Sequence, residues 1–172
     1  MKKHIVLVGL PGSGKTTVGR LVAERLNAAF VDIDDVLARR EGHAVTVIFG
    51  QKGEAVFRDM ERREMEAALG HEPSVIAPGG GWAAQPGALD GARGRAWTVY
   101  LRTRPDAAAG RAGPEGNRPL LLGGDAVARM RELLKEREAY YLKADAHVDT
   151  DRHTPEHVAS EVIRLAQTGA GW

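Results

Sequence analysis

The sequence predicts an α/β protein built as one domain, with a parallel sheet covered by helices on both faces. Three observations carry that expectation. Short apolar runs alternate with helical patterns along the whole chain. A glycine loop joins the first run to the first helix. The 172 residues are enough for one core and show no linker, repeat or low-complexity tract.

Taken in order, Ile5-Val6-Leu7-Val8 reads as a buried strand running into Gly9-Leu10-Pro11-Gly12-Ser13-Gly14-Lys15-Thr16, and a helix follows over residues 15–26, stopped at Asn27. Residues 29–34 read as a short strand with Asp32 and Asp34 on one side at its end, and Asp34 to Leu37 opens a short helix. Val45 to Phe49 reads as an apolar turn leading to Gly50 and Gly53. Residues 54–69 form a longer helix whose wheel centres on Val56, Met60 and Ala67, with Phe57 and Ala68 on one edge and Arg58, Glu61 and Met65 on the flank beside it.

Ser74 to Ala77 is a buried-type strand ending in Pro78-Gly79-Gly80-Gly81-Trp82. A brief helical segment near 86–92, a strand over 97–101 and a short helix from Pro105 to about Arg111 follow. Residues 113–119 hold too many breakers for regular structure. A long helix over 125–142, a strand at 147–149 and a helix started by Thr154-Pro155-Glu156 complete the order, with Val158, Val162, Ile163 and Leu165 on the last apolar face. The tail, 168–172, is expected to fray.

Bulk composition excludes several function classes. The absence of cysteine removes disulfides, thiolate metal sites and a Cys nucleophile, and fits a reducing cytoplasm. With 24 basic against 23 acidic side chains, bulk charge favours neither nucleic acid nor an anionic membrane. No apolar run reaches the ~18 residues a membrane span needs. The partners expected are therefore small molecules, and the protein is read as a cytoplasmic monomer. The 21 glycines cluster at 9–19, 79–94 and 110–124, which is where chemistry is sought.

The loop from Gly12, Ser13 and Gly14 through Lys15, Thr16 and Thr17 has the chemistry of a phosphate cradle. Glycines let amides face inward, the helix start adds positive potential, Lys15 reaches the outer phosphates, and the Thr16 hydroxyl is placed to bind magnesium. Asp32 and Asp34 stand where open parallel sheets bind ligands; one carboxylate can orient magnesium's water shell and the other can accept a proton or hydrogen bond from an attacking hydroxyl, although Asp also caps helices. Arg137 falls in the middle of the apolar stripe Ala126, Met130, Leu133, Leu134 and Tyr141, so it must be paired or must face a ligand. Gly79, Gly80 and Gly81 allow close approach to a small ligand, which Arg58 and Arg137 can clamp as a carboxylate; Arg58 can equally pair with Glu61 three residues on. Arg111 and Arg118 flank the irregular segment and suit a mobile lid over about 112–124 that brings positive charge onto a transferring phosphate. The six histidines show no metal-ligand spacing.

The ordered set of the glycine loop, Asp32-Ile33-Asp34, Phe57-Arg58-Asp59-Met60-Glu61, the triple glycine, Arg118-Pro119-Leu120-Leu121 and the region of Arg137 resembles the shikimate kinase family from Ile5 to about Leu165. The resemblance implies a nucleoside-monophosphate-kinase-like fold, a five-stranded parallel sheet in the order 2-3-1-4-5 with a lid, and transfer of the γ-phosphate of ATP to the 3-hydroxyl of shikimate with Mg2+. It further implies that Asp34 is the base, that Arg58, Gly80 and Arg137 hold the acid's carboxylate, and that Glu61 orients Arg58 and touches a substrate hydroxyl. Lys15 and Arg118 would stabilise the phosphoryl charge, Thr16 and Asp32 would serve magnesium, and Arg111, Arg118 and the turn from Arg152 to Pro155 would border the adenine. Trp82, Pro78 and His153 depart from the family pattern. Two other readings compete: a gluconate or nucleotide kinase of the same fold, and a nucleotide-dependent switch without transfer activity.

Overall fold

The structure is a computed structural model and describes residues 1–112 and 125–172. Among the described residues there are five strands and eight helices: β1 (His4–Val8), α1 (Lys15–Arg25), β2 (Phe30–Asp32), α2 (Ile33–Glu41), α3 (Val45–Lys52), α4 (Glu54–Leu69), β3 (Val75–Ala77), α5 (Ala88–Ala92), β4 (Ala96–Arg102), α6 (Pro105–Ala112), α7 (Ala126–Tyr141), β5 (Ala146–Asp149) and α8 (Pro155–Gly169). The strands form one parallel sheet in the order β2-β3-β1-β4-β5.

The central strand explains the layers. All five residues of β1 are buried, as a strand covered on both faces requires. Their alternation sends Val6 and Val8 to one core, with Ile33, Phe57, Met65, Met130 and Tyr141, and Ile5 and Leu7 to the other, with Val18, Val22, Val158 and Val162. α1 and α8 thus cover one face, while α2 to α5 and α7 cover the other. β1 pairs with β4 from His4↔Ala96 to Val8↔Tyr100 and with β3 at Ile5↔Val75 and Val6↔Ile76, so the loops after β1 and β3 emerge side by side.

Four local expectations are corrected. Val45 to Phe49 belongs to a full helix, α3, not to a single turn. β2 stops at Asp32, so Asp34 sits in the first turn of α2 and not on an extended strand. On α4 the buried face is Phe57, Glu61, Met65, Ala68 and Leu69, whereas Val56 is 47% exposed. The wheel ranked Val56 above a carboxylate on hydrophobicity, but packing against α2 and α3, with the Phe49 and Phe57 rings 5.5 Å apart, rotates the helix toward the flank that carries Glu61.

The tail is the fourth correction, because it is fastened and not frayed. The Lys3 amide donates to the Ala170 carbonyl (2.9 Å), the Trp172 indole N–H donates to the Lys3 carbonyl (2.9 Å), and the Lys2 ammonium lies over the Trp172 ring. Apart from Ala112 at the end of α6, the expected lid lies outside the described residues.

Deleting residues 170–172 removes two long-range hydrogen bonds worth about 1 kcal/mol each. The expected result is a melting temperature lower by roughly 4–8 °C, read by calorimetry. An unchanged melting temperature would show that the tail contributes nothing.

Candidate active site

The first half of the site is the loop between β1 and α1. Gly14 caps α1 with φ 95°, a left-handed conformation that side-chain-bearing residues rarely adopt. Lys15 is buried, and its Nζ donates to the carbonyls of Gly9 (2.9 Å) and Leu10 (2.8 Å) across the loop it would charge. The Thr16 hydroxyl donates to Asp32 Oδ2 (2.8 Å), while Asp32 Oδ1 accepts from the Asp35 amide (3.2 Å). Asp32 thus caps α2 through one oxygen and meets Thr16 through the other.

A cleft of about 480 Å³ opens over this loop. Gly12, Ser13, Gly14, Lys15, Thr16 and Thr17 form its floor, and Asp32 and Asp34 one wall. Arg111, Thr150, His153 and Pro155 also line it, so the expected nucleotide residues converge except for two. Arg152 is not among the residues lining the cleft; it is exposed and occupies the left-handed position of the turn (φ 64°) beside His153. Arg118 lies outside the described residues. His153, where the family resemblance leads one to expect an arginine, stacks on His157 with ring centroids 4.5 Å apart.

The second half is built around Gly79, Gly80 and Gly81. A Cβ on Gly79 would come within 2.6 Å of Glu61 Oε2 and 3.2 Å of Asp34 Oδ1. One on Gly80 would meet Pro11 Cδ at 3.0 Å, the Gly9 carbonyl at 3.1 Å and Arg137 Nη1 at 3.3 Å, and one on Gly81 would overlap the Arg58 guanidinium. Three residues without side chains therefore bring together the phosphate loop, both carboxylates and both arginines. Pro78 ends β3 on the way in, and Trp82, whose amide donates to the Gly79 carbonyl (3.2 Å), turns its ring into the core.

Charge is arranged unevenly in this pocket. Arg58 Nη1 donates to Glu61 Oε1 at 3.0 Å, so the bland intrahelical pair foreseen by spacing does form. Yet Arg58 Nε and Glu61 Oε2 are buried and have no protein partner among the described residues. Arg137 is only 7% exposed, and no carboxylate lies within ion-pair distance of it among the described residues. A buried cation without a counter-ion is costly, and an anionic ligand removes that cost. Burial pushes the Glu61 carboxyl up to about 7. Arg58 and Arg137 oppose that rise and the Asp34 charge adds to it. The upward direction holds because a fully buried carboxylate loses more hydration than one ion pair returns.

Tyr141 is the residue that sequence reasoning missed. It was counted as part of an apolar stripe, but its hydroxyl donates to the Gly80 carbonyl at 2.6 Å. Its position one helical turn after Arg137 was the available signal.

A lysine- and threonine-tipped phosphate loop facing a pocket of paired arginines and a carboxylate, on a 2-3-1-4-5 parallel sheet, defines a small-molecule phosphotransferase of the nucleoside-monophosphate-kinase type. A family model described as shikimate kinase matches residues 11–167. The chain belongs to the shikimate kinase family. A shikimate kinase of Thermobifida fusca is 42% identical over 167 residues, covering 96% of this chain and 95% of that protein. The structure of shikimate kinase from Acinetobacter baumannii in complex with shikimate superimposes with a TM-score of 0.92 at 32% identity, covering 98% of this chain and 94% of the other. That of Aquifex aeolicus gives 0.82 at 34% identity, covering 95% and 96%.

The raised Glu61 value has a sign that stability measurements can read. Between the ordinary value of 4.5 and about 7 the native protein holds a proton that the unfolded chain has released. This contribution is complete below the ordinary value and is lost as pH rises through the native one, up to about 3 kcal/mol. Glu61→Gln removes the slope, so the melting-temperature difference between wild type and variant should shift against the wild type from pH 5 to pH 8. The partner lost by Arg58 adds only a constant offset, and parallel curves would contradict the shift.

Proposed function

We propose that the two halves of the cleft divide the work of the reaction of this family: transfer of the γ-phosphoryl group of ATP to the 3-hydroxyl of shikimate, a step in aromatic amino-acid biosynthesis. The observation that carries this reading is the buried Arg137, without a carboxylate partner among the described residues, set beside Arg58, the triple glycine and Asp34 directly against the phosphate loop.

The phosphate half binds ATP. Amides of Gly12 to Thr17 and the start of α1 hold the phosphates, and Lys15 exchanges its loop carbonyls for phosphate oxygens, placing its charge where negative charge accumulates. The fit to magnesium rests on Thr16 and Asp32, joined at 2.8 Å. Among the described residues no group of three acidic or histidine side chains forms a cage, which suits an ion held by one or two protein oxygens together with phosphates and water. When bound, Mg2+ neutralises phosphate charge; Thr16 is placed to ligate it and Asp32 to orient its water.

The acid half binds shikimate. Arg58, Arg137 and the Gly80 backbone hold its carboxylate, Gly79 and Gly81 allow the approach, and Glu61 orients Arg58 and offers Oε2 to a hydroxyl. Asp34 accepts the proton of the 3-hydroxyl as its oxygen bonds to the γ-phosphorus and the bond to the ADP oxygen breaks. There is little covalent work for the protein, so positioning and charge supply the catalysis. Arg111 and the turn ending at Pro155 border the adenine, and Arg118 contributes charge at the phosphoryl group, as the resemblance implies. We further infer a cytoplasmic monomer. Large apolar side chains exposed among the described residues, Val47, Val56 and Leu142 with Met1, are few, and no described helix is long and apolar enough to cross a membrane.

ADP release should be strong with shikimate and weak with quinate, gluconate or AMP. Lys15→Met should abolish transfer. Asp34→Asn should lower kcat about 100-fold or more with the KM for ATP retained. Arg137→Ala should raise the KM for shikimate about 10- to 100-fold. Equal activity with another acceptor would reassign the acid pocket, and unchanged kcat in Asp34→Asn would remove the base.

A further inference from the structure

We propose that Tyr141 is a positioning residue for the acid pocket, its hydroxyl locking the Gly80–Gly81 peptide beside the Arg137 guanidinium into a preformed carboxylate receptor. The proposal deepens the reading of the pocket given above and rests on it.

The hydroxyl is buried and donates to the Gly80 carbonyl at 2.6 Å. Arg137 stands one turn earlier on α7, and its Nη1 lies 3.3 Å from the point where a Gly80 Cβ would stand. The phenol therefore gives its proton to the same glycine loop that the guanidinium approaches. The chain has no cis peptide bonds among its described residues, so the Gly80 carbonyl and the Gly81 N–H point in opposite directions. Pinning the carbonyl to Tyr141 turns the Gly81 amide to the other side of the loop. Neither the Gly80 nor the Gly81 N–H has a hydrogen-bond partner among the described residues.

A run of three glycines does not hold such an orientation by itself, because each can turn its peptide through conformations closed to other residues. The tether supplies the missing order. The tether is rigid in turn: the Tyr141 ring packs against Tyr100 at 5.2 Å, and Tyr100 stands on β4 opposite Val8, the residue that leads into the phosphate loop. The acid receptor and the phosphate cradle are thereby referred to the same strand pair, and a preorganised receptor binds without spending affinity on ordering the loop.

Tyr141→Phe keeps the ring and removes only the proton and oxygen. The dissociation constant for shikimate, measured by titration calorimetry, should rise about tenfold, the worth of one hydrogen bond, while kcat and the KM for ATP stay within about twofold. Tyr100→Phe, a hydroxyl removed from the same ring pair but away from Gly80, should leave acid affinity within about twofold. Unchanged acid affinity in Tyr141→Phe, or an equal loss in Tyr100→Phe, overturns the proposal even if the melting temperature falls. Arg137→Ala separates the two levels: if it weakens acid binding and Tyr141→Phe does not, only the positioning role fails; if it too leaves acid binding unchanged, the pocket reading fails with it. Should Tyr141→Phe not fold, the wild-type protein provides the test. A slowly exchanging Tyr141 hydroxyl proton in its NMR spectrum without shikimate supports the lock, and its absence overturns it.

Discussion

The close approach of backbone to side chains at Gly79, Gly80 and Gly81 is the constraint on which the rest of this site depends. A Cβ on Gly79 would overlap Glu61 and one on Gly81 would overlap Arg58, while one on Gly80 would crowd Arg137 and the phosphate loop. The parallel register makes this possible, because β3 pairs beside β1 and their following loops must emerge together at the carboxyl edge of the sheet. From that one contact the acid pocket acquires its floor, and the phosphate loop a neighbour within hydrogen-bonding range of a small acceptor. Function requires the two subsites to share an edge, and three absent side chains bring them there.

Around this contact the protein buries more charge than a core favours. Lys15, Glu61 and Arg137 are all inside, and Arg58 is nearly so. The two apolar clusters on either side of the sheet supply the stability that offsets those groups, which explains why the helices carrying them also present long apolar faces: Phe57, Met65 and Leu69 on α4, and Met130, Leu133 and Tyr141 on α7. Two of these groups, Glu61 and Arg58, keep a buried polar atom without a partner among the described residues. Among the described residues Glu61 takes Arg58 through one oxygen and has no partner on the other, while Arg137 has no carboxylate within ion-pair distance. Such incompleteness is typical of a site whose last partner is a ligand.

Much of this was legible in the residue order. The phosphate loop declares itself through a short-range pattern whose chemistry depends on neighbours in sequence, and Arg137 declares itself by standing in an apolar stripe. Sheet order followed from a family resemblance spread over six motifs. What was misread has a common cause. The α4 wheel weighed Val56 above Glu61 because hydrophobicity cannot know that a carboxylate will be drawn inward by Arg58 and by the space over Gly79. The tail looked frayed because its partners, Lys2 and Lys3, lie at the other end of the chain.

Local chemistry was therefore determined by the sequence alone: the cradle for phosphate, the carboxylates after the second strand, the arginines suited to a carboxylate, and the alternation that makes a parallel sheet. These rest on patterns within single elements and on their order along the chain, where spacing dictates local geometry. Tertiary structure alone decided which face of α4 is buried, that Asp32 serves both a helix cap and Thr16, that the Glu61 carboxyl rises toward neutrality, and that the Tyr141 hydroxyl reaches Gly80 sixty-one positions away. Those outcomes depend on desolvation and on packing between elements remote in the chain, quantities that exist only once the sheet has brought the elements together.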